Sequence, residues 1–247
     1  MLRLKVIACD VLRREISYLS SRSPCYVDTT FLPQGLHENP DKLRAFLAEE
    51  IEKANGSFPY QLFEKKISYD YIILAYGLCD NSIVGLKSLN IPLAVPKAHD
   101  CITMILGSKE RYTELFNEYP GTFWYSRGWI ERSLQPGKER YEITYKSYVD
   151  KYGDDNAEYL MEMEQGWFKS YNRAFFINWE CLGNSDFYRS FTKESADYLK
   201  WNFSEEQGSP SLLEKMLKGE FNESEVLIVP PGKAIAPSFD TEIIRQE

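Results

Sequence analysis

Near its start the chain carries an almost continuous apolar run, Leu2–Cys9 (LRLKVIAC), closed by Asp10. A short apolar run bounded by a polar turn signal predicts a buried strand. The stretch VLRREISYLSS after Asp10 reads as helical. Tyr26–Leu32 (YVDTTFL) predicts a second strand, and PQGLHENP, rich in Pro, Gly and Asn, a loop. Over Pro40–Asn55, Leu43, Phe46, Leu47 and Ile51 repeat at helix spacing with acidic residues opposite. Tyr69–Tyr76 (YDYIILAY) and Ile91–Val95 (IPLAV) predict a third and a fourth strand. Between them, Asn81–Asn90 is expected as a short helix in which Gly85 allows a close approach. Cys101–Tyr119 is expected as a helix interrupted near Gly107 and Ser108. Strands alternating with helices predict an open, mostly parallel sheet.

Beyond residue 120 the pattern changes. Gly121–Tyr171 is aromatic and charged, shows no clear strands, and reads as mostly helical. Strand signals return at Arg173–Trp179 (RAFFINW) and Glu225–Val229 (EVLIV), with helical patterns at Tyr188–Trp201 and Ser211–Leu217 between them. The expected class is α/β: a Rossmann-like, mostly parallel sheet with a helical insertion and a second α/β segment. The expected boundaries are a lobe over 1–120, an aromatic-rich helical insertion over 121–171, and a C-terminal segment over 172–247 that completes the domain.

Composition narrows the function classes. The formal net charge is −8, with 29 Lys and Arg against 37 Asp and Glu. That balance argues against a nucleic-acid-binding protein, which normally presents a basic face. No run of about 18 apolar residues exists to span a membrane. MLRLKVIACDVLRRE lacks the long apolar core and small-residue cleavage site of a signal peptide. A cytoplasmic location is therefore expected, where thiols stay reduced. Five cysteines, an odd number, then read as core thiols, metal ligands or reactive groups rather than a disulfide framework.

Ligands of open parallel sheets bind beyond the carboxyl ends of the strands. Cys9 ends the first predicted strand, His37 lies in the loop after the second, Cys79 follows the third, and His99 and Cys101 follow the fourth. Thiolates and imidazoles suit zinc and other borderline transition metals, so these five are the candidate metal ligands. Asp10 or Asp100 would supply an oxygen or orient an imidazole. Three cysteines from three strand ends would also serve an iron–sulfur cluster. The competing reading is that these cysteines are small buried hydrophobes. Cys25, before the second strand, reads as inert, and Cys181 joins the site only if the later segment faces the first. Gly77 and Gly85 are candidates for a backbone anion cradle, although their spacing matches neither a dinucleotide fingerprint nor a Walker sequence. Lys97 and Lys109 would assist such an anion. In PGTFWYSRGWIER, Arg127 stands among aromatics and would meet a carboxylate or phosphate of a small-molecule ligand; a packed aromatic corner explains it equally.

The segments ACDVLRREI, FLPQGLHENPDKLR, YGLCDNSIVGLK, IPLAVPKAHDCITMILGSKERY and PGTFWYSRGWIER, with RAFFINW and LIVPPGK, resemble the uncharacterised family catalogued as domain of unknown function number 1638. The positions matching its pattern include Cys9, Gln34, Gly35, His37, Tyr76, Gly77, Cys79, Gly85, His99, Asp100, Cys101, Gly107 and Ser108. One loop departs from it: CDNS stands where the family more often reads CGNG, so Asp80 and Ser82 replace glycines. Members of this family accompany corrinoid proteins and methylamine-type methyltransferases in anaerobic bacteria and methanogenic archaea. The resemblance thus implies corrinoid or methyl-group metabolism, with a corrinoid protein as a partner. Three functions stay open: a metal-dependent methyltransferase or its accessory, a non-catalytic metal or cofactor carrier or sensor, and a metal-free cysteine-nucleophile enzyme. The oligomeric state is not readable from the sequence.

Overall fold

A computed structural model describes residues 1–56 and 68–247, with the side chains of His37 and Glu38 outside the description. The chain divides into two compact units, residues 1–112 with 209–247, and residues 113–208. Elements below are numbered along the whole chain.

The first unit is built on a sheet of order β2-β1-β3-β4-β8 among the described residues. Its strands are β1 (Arg3–Cys9), β2 (Tyr26–Leu32), β3 (Tyr71–Ala75), β4 (Leu93–Pro96) and β8 (Val226–Val229). The first four run parallel, and β8 returns antiparallel along β4. The fold is therefore α/β with a mostly parallel central sheet. From Leu4 to Cys9 every residue of β1 is buried, as a central strand covered on both faces requires. The lysine in that run, Lys5, is accommodated by Asp28 at 3.0 Å and Thr30 at 2.9 Å on the neighbouring strand. Helices α1 (Arg13–Ser20) and α2 (Pro40–Gly56) flank β2 in sequence, and α3 (Cys101–Leu106) follows β4, buried along its full length.

Gly107 ends α3 at φ +90°, and a Cβ there would lie 2.6 Å from that of Ser209. The chain re-enters this unit at that contact: Ser209 N–H donates to the Ile105 carbonyl at 3.1 Å. Helix α4 (Lys109–Glu118) follows after a two-residue break, so the interruption expected near Gly107 and Ser108 is present. A final hairpin pairs β9 (Ile235–Pro237) with β10 (Ile244–Gln246).

The expected helix over Asn81–Asn90 does not form. The chain makes successive turns there, because Asn81 sits at φ +64° and Gly85 at φ +83°, which a right-handed helix cannot contain. Nothing lies within 4 Å of where a Gly85 Cβ would stand. This glycine serves its left-handed backbone and not a close approach.

The second unit carries its own parallel sheet, β5-β6-β7, from Thr122–Tyr125, Arg173–Asn178 and Asn202–Gln207. Strand β5 corrects the expectation that 121–171 holds no strand, and β7 was not anticipated. The helices α5 (Arg127–Arg132), α6 (Lys138–Tyr152), α7 (Asp154–Glu164) and α8 (Asp186–Leu199) complete the unit, and α9 (Ser211–Leu217) belongs to the first. Tyr125, Ala174, Phe176, Tyr188 and Ala196 form a core in the second unit, with Phe191, Trp201 and Phe203 packed against it. Among the described residues, no helix is long and apolar enough to cross a membrane.

Candidate functional site

In a sheet of order 2-1-3-4 the chain moves from β1 outward to β2 and then back to β3 on the other side. The loops leaving β1 and β3 therefore diverge, and the crevice between their carboxyl ends is where such sheets bind ligands. Cys9 is the last residue of β1. Ala8 pairs with Ala75, so the next register step sets Cys9 beside Tyr76 at the end of β3.

The loops after β3 and β4 are sewn together at this edge. Leu78 N–H donates to the Ala98 carbonyl at 2.8 Å, and Cys79 N–H to the His99 carbonyl at 2.9 Å. Gly77 makes the seam possible. A Cβ there would meet Asp100 N at 2.5 Å and both Asp100 Cα and His99 C at 2.7 Å. All three are backbone atoms that cannot swing aside. Gly77 is thus a packing glycine between two main chains.

After the seam, Cys79, Asp80 and Asn81 take φ of +43°, +53° and +64° in succession. Three consecutive non-glycine residues in the left-handed region are rare, and such strain clusters at ligand clamps and active sites. Arg44, from α2, reaches this loop: its guanidinium donates to the Asn81 carbonyl at 2.7 Å and to Asp41 at 2.8 Å. The segment after β2 is thereby tied to the same edge.

Electrostatics set the resting state of the thiols. Burial pushes the Cys9 thiol up to about 11, although the Val11 and Asp10 backbone N–H groups pull the other way. Burial also raises the Cys79 thiol, and negative charge at Asp100, Cys9 and Asp80 raises it further. Both are neutral thiols at physiological pH and not preformed nucleophiles. Asp100 is itself raised by burial, against the hydrogen bonds that hold its charged form. Its carboxylate caps α3, accepting from Ile102 N–H at 2.9 Å and Thr103 N–H at 3.3 Å, and Tyr112 Oη adds a bond at 3.3 Å. The start of α3 is therefore filled by the chain's own anion.

Among these groups lies a residue that reading the sequence as strand and loop did not single out for chemistry. Tyr76 is 1% exposed, and its hydroxyl meets no hydrogen-bond partner. Burial is the first cause that lowers the phenol's acidity, and negative charge at Cys9, Cys79 and Asp10 would lower it further. Buried hydroxyls without partners are uncommon, and each calls for an explanation such as an ordered water, an ion, a ligand or stored strain. A tyrosine at the last position of an apolar strand, flanked by glycine, is the one sequence signal that could have drawn attention to it.

His99 is exposed, and Cys101 is buried in α3. His37 lies in a short 3-10 helix over Gln34–Glu38, and its side chain is outside the described residues. Cys25 is half-buried, and Cys181 is exposed in the second unit. Arg127 is 2% exposed, and its guanidinium donates to the carbonyls of Leu182, Asn184 and Gly183 and to Asn178 Oδ1, at 2.8 to 3.3 Å. Those bonds hold the loop after β6. Among the described residues no three His, Cys, Asp or Glu side chains are disposed to hold a metal ion.

The model of the family described as a protein of unknown function, DUF1638, matches residues 31–217. No curated protein and no solved structure matches the chain. The chain belongs to the DUF1638 family.

Proposed function

We propose that this DUF1638 member binds a small organic ligand in the crevice between the ends of β1 and β3, held by the Tyr76 hydroxyl between the thiols of Cys9 and Cys79. The observation that carries the proposal is the buried, unpartnered Tyr76 hydroxyl at the switch point of the sheet. The chemistry around it defines the ligand class. Negative charge at Asp10 bears on Tyr76 and negative charge at Asp80 and Asp100 bears on Cys79, and the start of α3 is capped by Asp100. An anionic phosphate would meet repulsion, and the start of α3 is already filled by Asp100. A neutral or cationic molecule with one polar atom for Tyr76 and soft, polarisable surface for the two sulfurs is the better match. The corrinoid and methyl-group context implied by the family resemblance is consistent with that class, and makes a carrier or accessory role the natural one.

A metal ion is the second reading. It is favoured by the seam that joins Cys79 and His99 through their main chains. It requires the thiols to lose their protons on binding, so uptake would be steeply pH-dependent.

One experiment separates the two. The chain is purified without oxygen and examined by native mass spectrometry and elemental analysis, with Tyr76→Phe in parallel. A retained organic mass that Tyr76→Phe loses supports the first reading, and a stoichiometric metal that survives Tyr76→Phe supports the second. If neither is retained, and Cys79 alkylation is equally fast in cell extract and in purified protein, no ligand occupies the crevice and both readings fall.

A further inference from the structure

We propose that the second unit carries a separate binding site for a linear polyamine, in the cleft between the start of α6 and the last turns of α8. The cleft has a volume of 490 Å³, within the range of small-molecule sites. Glu139 and Glu142 line one wall, and Glu194 and Asp197 the other. Against these four carboxylates stands one lining ammonium, Lys138, whose Nζ lies 3.7 Å from Glu142. Glu139, Glu194 and Asp197 pair with no cation among the described residues. Carboxylates facing each other across a concave site concentrate cations there.

An acidic wall alone would not define a ligand, but Gln135 does. This side chain also lines the cleft and is 5% exposed. Its amide nitrogen donates to the Trp129 carbonyl at 3.2 Å and to Ser133 Oγ at 2.6 Å. Its amide oxygen is buried and meets no donor. An N–H from a bound ligand would fill that gap. The base of the cleft is fixed by Gly137, where a Cβ would stand 2.7 Å from Ser195 Oγ of α8.

Shape decides which cation. No three of the carboxylates converge as metal ligands, so a single divalent ion is not the match. The charges are spread along two walls, which suits a ligand whose charges are also spread. Phe191 and Tyr198 add ring surface to the same cleft. Methylene segments pack on such rings while ammonium groups reach the carboxylates. A chain of ammonium groups separated by methylenes meets all of these features at once.

The test is isothermal titration of the full chain at low ionic strength with spermidine, putrescine and magnesium. One spermidine should bind per chain, more tightly than putrescine and far more tightly than magnesium, and added salt should weaken it. The Glu194→Gln/Asp197→Asn double variant removes two exposed carboxylates, so binding should weaken about two- to thirty-fold. The variant's far-UV circular dichroism and melting should stay unchanged. Glu49→Gln/Glu52→Gln, exposed positions on α2 of the first unit, should leave binding intact. Absence of spermidine binding overturns the proposal. So does equal binding of magnesium, or equal weakening by the α2 variant, which would reduce the effect to the chain's overall negative charge.

Discussion

Replacing Gly77 by alanine tests the seam on which the candidate site rests. The added Cβ would stand 2.5 Å from Asp100 N and 2.7 Å from two further backbone atoms. Relief requires the loop after β4 to move away from the loop after β3. That movement strains the packing by about 1–3 kcal/mol. It also stretches the Leu78-to-Ala98 and Cys79-to-His99 hydrogen bonds, each worth about 1 kcal/mol net. The expected loss is about 3 kcal/mol, or roughly 6–12 °C in melting temperature for a chain of this size. Gly85→Ala is the matched control. It has open space around the new Cβ but a φ of +83°, so its cost is the left-handed penalty alone, about 1–2 kcal/mol. Differential scanning calorimetry measures both. Iodoacetamide labelling gives a second readout, because a parted seam exposes Cys79 and speeds its alkylation at fixed pH. If Gly77→Ala melts within 2 °C of the parent, or if Gly85→Ala costs more, the packing argument is wrong.

Three further outcomes follow from particular side chains. Tyr76→Phe should leave the ligand-free chain unchanged or up to about 1 kcal/mol more stable in urea, since it removes a buried hydroxyl with no partner; a marked loss would mean that the hydroxyl is already satisfied. The Cys9 thiol goes from 9.0 up to about 11 on burial, so the folded state holds its proton more tightly than the unfolded one. Its contribution is full below pH 9 and is lost as pH rises through 11, on the order of 2 kcal/mol, so Cys9→Ala should flatten the decline of stability across that window. Arg127→Met should cost about 3–5 kcal/mol and abolish the thermal transition of the second unit, because several carbonyls of the 178–184 loop lose their donor. Arg127→Lys should restore little of this, since a single ammonium cannot span those acceptors.

The central sheet was legible because its strands are short apolar runs closed by turn residues, and their alternation with helices implies a parallel arrangement. The edge on which Cys9 and Cys79 fall was legible for the same reason: parallel strands end on one side. The missed elements have physical causes. Strand β7, NFSEEQ, is mostly polar and at least half-exposed, so neither propensity nor alternation marks it; β6 supplies its ladder. Strand β5 is four residues of mostly aromatic sequence that read equally as a packed corner. NSIVGLKSLN has helix-like apolar spacing, but spacing does not report the left-handed backbone at Asn81 and Gly85. Arg127 could be read as ligand-facing because sequence gives residue type and not the carbonyls that saturate it. The side-chain level of the site was the least legible. Tyr76 reads as the end of a strand and Arg44 as the surface of a helix until the loops are brought together.

The strained loop itself connects sequence to site. The positions where the family resemblance favours glycine are 80 and 82, and this chain has Asp80 and Ser82 there. Asp80 occupies φ +53°, a backbone that glycine adopts freely and aspartate tolerates through its short polar side chain. Glycine at 80 is therefore explained by the conformation and implies no close approach of a ligand backbone. Aspartate keeps the same turn while adding a carboxylate, which raises the neighbouring Cys79 thiol. Ser82 is different: it is fully buried, and its hydroxyl meets no partner. A glycine there would carry no such hydroxyl. The two replacements thus keep the fold of the loop and change its chemistry in one direction, toward a more acidic, more polar edge around a protonated thiol. That direction favours a neutral or cationic ligand over an anionic one, and it rests on residues in which this chain departs from its family pattern.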